Sequence, residues 1–136
     1  INPGLWTAAT GTHFAHPGNR FYPALLAAGI IERPIDRGTG MTDDDRRHLL
    51  ERGIGITNIV HRATAKASEL SSEELRAGGE HLRAFVRMHA PLVVAVAGIT
   101  AYRSAFGQPK ATISDRRWRF NTAWPLEVKI SAAGLA

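Results

Sequence analysis

The sequence predicts an α/β fold with a parallel sheet, and three observations support this prediction. Apolar runs typical of strands, residues 54–60 and 92–97, alternate with stretches whose apolar residues recur at helical spacing. The second run is uniformly apolar, as in a strand that is buried on both faces of a parallel sheet. The length of 136 residues and the hydrophobic content of 44% suit one domain with a core, so we expect residues 1–136 to form a single domain.

The first half of the chain is predicted to contain a loop and two helices. Residues 1–18 are predicted to be a long loop, because several Gly and Pro residues punctuate them. One helix is expected between the N-cap Asn19 and Gly29. Another opens at Thr42 with three aspartates in its first turn, which suits the helix dipole, and it ends at Gly53.

The second half is predicted to alternate between helices and strands. Ser71 opens a helix through a capping box with Glu74, and Pro91 ends this helix. After the apolar strand, a short helix is expected over residues 101–106. Residues 126–130 alternate like an edge strand.

Composition excludes several classes of site. The chain has no cysteine, so it has no disulfide scaffold, thiolate zinc site, iron–sulfur cluster or cysteine nucleophile. The 17 Lys and Arg residues outnumber the 12 Asp and Glu residues, and the net charge of +5 permits a polyanionic partner. No apolar stretch approaches the roughly 18 residues of a membrane span, and no signal peptide is visible.

Familiar cofactor motifs are missing as well. His13 and His16 form a close pair, but no carboxylate lies between them and no cysteine completes a zinc site. The sequence has no phosphate-binding loop, no dinucleotide fingerprint and no nucleophile elbow. We therefore expect neither a metal nor a cofactor.

Asn58 interrupts the apolar face that Ile54, Ile56 and Val60 share in the predicted strand. Burying an unpaired amide costs about 1–3 kcal/mol, so this side chain needs a partner. One interpretation is a hydrogen bond to nearby backbone. The other is a recognition amide, because a carboxamide offers donors and an acceptor that suit the edge of a nucleobase.

Asn2 and Phe14 allow two interpretations each. Asn2-Pro3-Gly4 is either an Asx-type turn or an amide at the carboxyl end of a strand, where open α/β sheets bind ligands. Phe14 is either an anchor in the core or a platform on which a base stacks.

Three segments together carry a family resemblance: residues 1–5, 11–21 and 53–64, with residues 70–79 and 98–102 continuing it. In this order they resemble the mismatch-specific uracil/thymine DNA glycosylases, a branch of the uracil-DNA glycosylase superfamily. The resemblance implies a three-layer α/β/α fold around a central, mostly parallel sheet. The first strand and the last helix of that fold have no counterpart here, so we expect a chain truncated at both ends.

The resemblance implies a role for each matched residue. Asn2 would position the attacking water, and Thr64 would help to hold that water. Phe14 would stack on the flipped base and Asn58 would contact its edge. Backbone groups of Ile1 and Phe14 would hydrogen-bond the base.

Four further residues are expected to contact DNA. Gly18, Asn19 and Arg62 lie in the matched segments. Leu135 ends the segment 131–135, which agrees with the family's intercalating motif only in a small residue followed by Gly-Leu. Leu135 is therefore the candidate for the side chain that enters the duplex.

The implied activity is that of a monofunctional DNA glycosylase. It would flip uracil, thymine or a damaged cytosine out of a mismatch with guanine and hydrolyse the glycosidic bond. We expect it to act as a monomer on double-stranded DNA in the bacterial cytosol. Two alternatives are open: a glycosylase-like module that binds DNA but turns over poorly, and an unrelated α/β domain in which Asn2, Phe14 and Asn58 only pack.

Overall fold

The computed structural model describes residues 1–112 and the backbone of two later strands. Its elements are α1 (Leu5–Thr10), α2 (Phe21–Ala27), α3 (Asp43–Glu51), a 3₁₀ turn (Ala67–Glu69), α4 (Ser72–His89), β1 (Val93–Ala97), α5 (Ile99–Phe106), β2 (Trp118–Arg119) and β3 (Glu127–Ser131). Contacts divide the described residues into two compact units. The N-terminal unit comprises residues 2–67, and the sheet unit comprises Ile1 with the described part of residues 68–132. A single domain over residues 1–136 stays a prediction.

The loop predicted over residues 1–18 is wrong in its first part. Leu5–Thr10 form helix α1, and Gly11 ends it with a φ of 64° and an N–H bonded to the Thr7 carbonyl. This helix has six residues, no side-chain cap and no charge in its end turns. Apart from Gly11, it therefore lacks the capping side chains and end-turn charges by which a helix is recognised in a sequence.

The two predicted helices of this unit are confirmed. The Asn19 carboxamide oxygen accepts a hydrogen bond from the Phe21 N–H (2.8 Å) at the start of α2, and Gly29 follows it with a φ of 68°. At the start of α3, Thr42 and Asp45 form a reciprocal capping box. Four residues from these helices and the chain around them, Tyr22, Ile31, Ile35 and Leu49, form the buried core of the unit.

The strand predicted over residues 54–60 does not form within the described residues. The alternation holds as far as Asn58, since Ile54, Ile56 and Asn58 are half-buried, but Ile59 is then buried as well. A strand needs a hydrogen-bonded neighbour along its length. The described residues supply only one parallel bridge nearby, between Gly4 and Thr64.

The sheet unit begins with α4, whose predicted capping box between Ser71 and Glu74 is confirmed. Gly79 lies against α5 so closely that a Cβ atom there would overlap the carbonyl oxygen of Ala105. Helix α5 starts at Ile99, two residues earlier than predicted, with Gly98 as its N-cap at a φ of 106°. The described helices include none that is long and apolar enough to cross a bilayer.

Three strands form the sheet in the order β1-β3-β2, with β3 parallel to β1 and antiparallel to β2. The edge-strand prediction for residues 126–130 is therefore wrong, because β3 lies between two neighbours. The prediction that β1 is buried on both faces is also wrong, since Val93 is 46% exposed while Val96 is 6% exposed. The parallel β1–β3 pair and the helices before and after β1 give this unit α/β character.

Candidate active site

The Asn2 carboxamide is anchored by residues 60 or more positions away in the chain. Its Nδ2 donates to the carbonyl oxygen of Arg62 at 2.9 Å and to Oγ1 of Thr64 at 2.7 Å. The backbone supports this arrangement, because the Thr64 N–H bonds to the Pro3 carbonyl at 3.1 Å. Residues 53–64, the third matched segment, therefore reach the first motif through their last residues.

These contacts fix which end of the Asn2 amide faces outward. A backbone carbonyl can only accept a hydrogen bond, so the NH₂ group must face Arg62 and the Oδ1 atom must face away from it. Within residues 2–67, no donor lies within hydrogen-bond distance of Oδ1. Asn2 thus presents an acceptor whose orientation is held by two strong contacts.

Thr64 is 5% exposed, and both roles of its hydroxyl are occupied by protein. Oγ1 accepts from Asn2 and donates to the carbonyl oxygen of Lys66 at 2.8 Å. This geometry lets Thr64 orient the Asn2 side chain. The structure places the Thr64 hydroxyl on Asn2, and the expectation that Thr64 helps to hold the water stays a prediction.

Phe14 combines a strained backbone with a packed ring. Its φ is 56°, a conformation that costs a bulky residue on the order of 1–3 kcal/mol and that persists only when its surroundings hold it. One face of its ring stacks on Phe21, with ring centroids 3.9 Å apart and planes 19° apart. The ring is half-buried, and it packs edge to face with Tyr22 at a centroid distance of 6.5 Å.

Tyr22 is a functional candidate that the sequence did not reveal. It is 1% exposed, and its hydroxyl donates to the His13 carbonyl at 2.9 Å. Burial raises the pKa of Tyr22 to about 12, with Asp45 adding to this effect and Arg37 opposing it. The hydroxyl therefore keeps its proton, and remains a donor, at neutral pH.

The Asn58 amide has a hydrogen-bond partner, and this partner is a side chain instead of nearby backbone. Its Nδ2 lies 3.4 Å from Nδ1 of His13, the residue before Phe14. Because an NH₂ group can only donate, this contact requires a lone pair on His13 Nδ1 and a proton on Nε2. Burial lowers the pKa of His13 and favours this neutral form.

Residues 58–64 join the two halves of the site. Asn58 at one end of this segment contacts the residue beside Phe14, and Thr64 at the other end contacts Asn2. His61 between them is near enough to influence the pKa of His13. The structure therefore shows two local sets of contacts, Asn2 with Thr64 and Asn58 with the residue before Phe14, which the chain segment 58–64 links covalently.

The remaining predicted residues fall in different places. Gly18 is exposed and Asn19 half-buried in the turn before α2, and the Arg62 side chain is exposed while its carbonyl holds Asn2. Ile1 belongs to the sheet unit, where it packs on Gly98: a Cβ atom there would lie 3.2 Å from Ile1 Cδ1. Leu135 lies outside the described residues. Among the described residues, no three His, Asp or Glu side chains form a group that could hold a metal ion.

The groups described above include a carboxamide oxygen, which can orient a water molecule, and an aromatic ring, on which a base can stack. A comparison with known families agrees with this chemistry: the sequence model of the Uracil DNA glycosylase superfamily matches residues 1–129. Members of this superfamily are DNA glycosylases, hydrolases that cleave the bond between a base and its sugar, and their fold is of the α/β class. The match spans nearly the whole chain, and on this basis the protein belongs to the uracil-DNA glycosylase superfamily.

Proposed function

We propose that this chain is a monofunctional glycosylase that removes uracil from G·U mismatches in double-stranded DNA, with thymine opposite guanine or a damaged cytosine as a slower substrate. The observation that carries the proposal is the anchored carboxamide of Asn2, whose Oδ1 is left as the acceptor. A carboxamide can orient a water molecule by accepting its proton in a hydrogen bond. It cannot remove that proton, because its own basicity is far too low.

The open polar groups of the N-terminal unit match the edge of uracil. Within residues 2–67, neither the Phe14 N–H nor Asn58 Oδ1 has a hydrogen-bond partner. A donor suits the carbonyl oxygens of uracil, and an acceptor suits its N3–H group. Cytosine has no N3–H, so an acceptor at Asn58 favours uracil and thymine over the normal base.

The reaction begins with extrusion of the base. Flipping costs a few kcal/mol, and it costs less for a wobble-paired uracil than for a Watson–Crick pair, which contributes to selectivity. The base then stacks on the face of Phe14 that Phe21 does not cover. As the glycosidic bond lengthens, negative charge grows on the base, and the Phe14 N–H stabilises that charge.

Water completes the reaction at the sugar. Asn2 holds the water by Oδ1, and Thr64 acts by holding Asn2. Orientation of a water molecule without deprotonation suits a transition state in which the base has largely departed and the sugar carries positive charge. The enzyme is expected to be slow, because no strong base assists the attack.

Several finer features belong to the proposal. The complete fold is the three-layer α/β/α arrangement, the protein acts as a monomer in the bacterial cytosol, and no metal or cofactor takes part. Gly18, Asn19 and Arg62 contact the DNA backbone. Leu135 enters the duplex beside the flipped base.

The proposal is tested by single-turnover cleavage of a G·U oligonucleotide duplex, with strand breaks scored after alkali. The wild type should release free uracil, and Asn2→Ala should lower the rate about 100-fold by misplacing the water. Gln108→Ala, which removes an exposed carboxamide in the sheet unit, should match the wild type. Equal cleavage by wild type and Asn2→Ala would contradict the role of Asn2.

Two further outcomes separate the alternatives. Binding to an abasic-site duplex without release of uracil would identify a binding module instead of an enzyme. Cleavage of A·U and G·U duplexes at equal rates would refute mismatch selectivity while leaving the glycosylase activity intact.

A further inference from the structure

We propose that Tyr22 is a positioning residue for base recognition: its hydroxyl holds the His13–Phe14 peptide so that the Phe14 N–H faces the extruded pyrimidine. This inference rests on the proposed function, and it adds a residue that carries no role in that proposal. Three observations support it. They are the hydrogen bond from Tyr22, the backbone conformation of Phe14 and the unpaired Phe14 N–H.

The hydrogen bond fixes one side of the peptide. The Tyr22 hydroxyl donates to the His13 carbonyl at 2.9 Å, and the tyrosine itself is 1% exposed within the core cluster. In a trans peptide the carbonyl and the following N–H point in opposite directions. Because the His13 carbonyl points to the Tyr22 hydroxyl, the Phe14 N–H points away from it.

The conformation of Phe14 needs this support. A φ of 56° is uncommon for a phenylalanine, and without restraint the chain would relax to negative φ. Relaxation would turn the peptide and redirect its N–H. The ring contacts with Phe21 and Tyr22 hold the side chain, whereas within residues 2–67 the Tyr22 hydroxyl is the group that bonds to the peptide itself.

The unpaired Phe14 N–H indicates which ligand group it would bind. Within residues 2–67 the Phe14 N–H has no acceptor. A donor that is held in a strained conformation and left without a protein partner is typical of a group prepared for a substrate oxygen. The pyrimidine carbonyl of the proposed substrate supplies such an oxygen.

This role makes a quantitative prediction about leaving groups. The N–H acts on negative charge that develops on the departing base, so its loss should harm poor leaving groups more than good ones. Tyr22→Phe removes the hydroxyl and keeps the ring. It should slow excision of uracil about tenfold, and excision of 5-fluorouracil, a better leaving group, about threefold or less.

The test compares single-turnover rates on duplexes that carry uracil or 5-fluorouracil opposite guanine. Tyr102→Phe is the matched control, because Tyr102 is also buried, at 3% exposed, but lies in the sheet unit. It should keep the wild-type ratio between the two substrates. A selective loss on uracil in Tyr22→Phe supports the inference, whereas an equal proportional loss on both bases, or no loss, overturns it.

The failure of the proposed function gives a different result. If the wild type excises neither base, the proposed function is wrong and this inference falls with it. If Tyr22→Phe does not fold, the wild-type Phe14 amide is followed by ¹⁵N NMR during titration with a duplex containing 2′-fluoro-2′-deoxyuridine opposite guanine. A downfield shift of the Phe14 amide that exceeds that of Ala15 supports the inference, and an unmoved Phe14 signal overturns it.

Discussion

Replacing Thr64 by valine tests how the site holds its water-positioning amide. The change keeps the shape of the side chain but removes the hydroxyl that accepts from Asn2 at 2.7 Å and donates to Lys66 at 2.8 Å. Each buried hydrogen bond contributes about 0.5–1.5 kcal/mol, so the free energy of unfolding should fall by about 1–3 kcal/mol. Asn2 keeps its contact with the Arg62 carbonyl at 2.9 Å, so its orientation is loosened but not lost.

The same change should slow excision of uracil about tenfold, which corresponds to about 1.4 kcal/mol in the transition state. Urea unfolding measures the first effect, and single-turnover cleavage of a G·U duplex measures the second. Thr64→Ser retains the hydroxyl and should restore most of the rate. If the valine variant cleaves as fast as the wild type, or if serine is as damaging as valine, then Thr64 does not act through Asn2.

Three further changes give separable outcomes. Asn2→Asp should lower both the melting temperature and the excision rate, because a carboxylate oxygen would replace the donor that faces the Arg62 carbonyl at 2.9 Å; a faster enzyme would contradict this. Gly79→Ala should lower the free energy of unfolding by about 1–3 kcal/mol, measured in urea, because its Cβ would overlap the carbonyl of Ala105. Excision should weaken as the pH falls through the pKa of His13, because protonation of His13 ends acceptance from Asn58, and burial lowers this pKa, so the loss should lie below pH 6.5, the usual pKa of histidine; a loss that is half complete above pH 6.5 would contradict this.

The elements that the sequence predicted well are those whose signals are local. The helix start at Thr42 and the capping box at Ser71 each depend on four neighbouring residues, and the structure contains both. Gly29 and Gly53, predicted to end helices, have φ values of 68° and 70°. These features depend on neighbouring residues only, so a single sequence specifies them.

The wrong predictions concern features that depend on distant partners. Alternation in residues 54–60 resembles a strand, but a strand forms only beside another, and nothing in the segment states where that neighbour lies. The central position of β3 likewise follows from its pairing with β1, more than 30 residues earlier in the sequence. Such pairings are tertiary information that local pattern does not contain.

The sequence predicted the residues of the candidate site, but it did not predict the residues that hold them in place. The roles of Asn2, Phe14, Asn58 and Thr64 were inferred from family resemblance, and the structure joins Asn2 to Thr64 and Asn58 to the residue before Phe14. The resemblance named the groups that touch water and base. The resemblance did not indicate Tyr22, because a sequence motif does not show a hydrogen bond from a buried hydroxyl to a backbone carbonyl.

The orientation of Asn2 explains why such a site would depend on the residues that hold its base-binding groups in place. Both strong contacts of Asn2 use its donors, so the atom left for water is an amide oxygen with almost no proton affinity. Water held in this way stays neutral and attacks only a sugar that has already lost most of its bond to the base. In the proposed mechanism the barrier is then set by how well the protein stabilises the negative charge on the departing pyrimidine, through the Phe14 N–H. Small shifts in the peptide that Tyr22 holds should therefore change the rate more than equal shifts in the water.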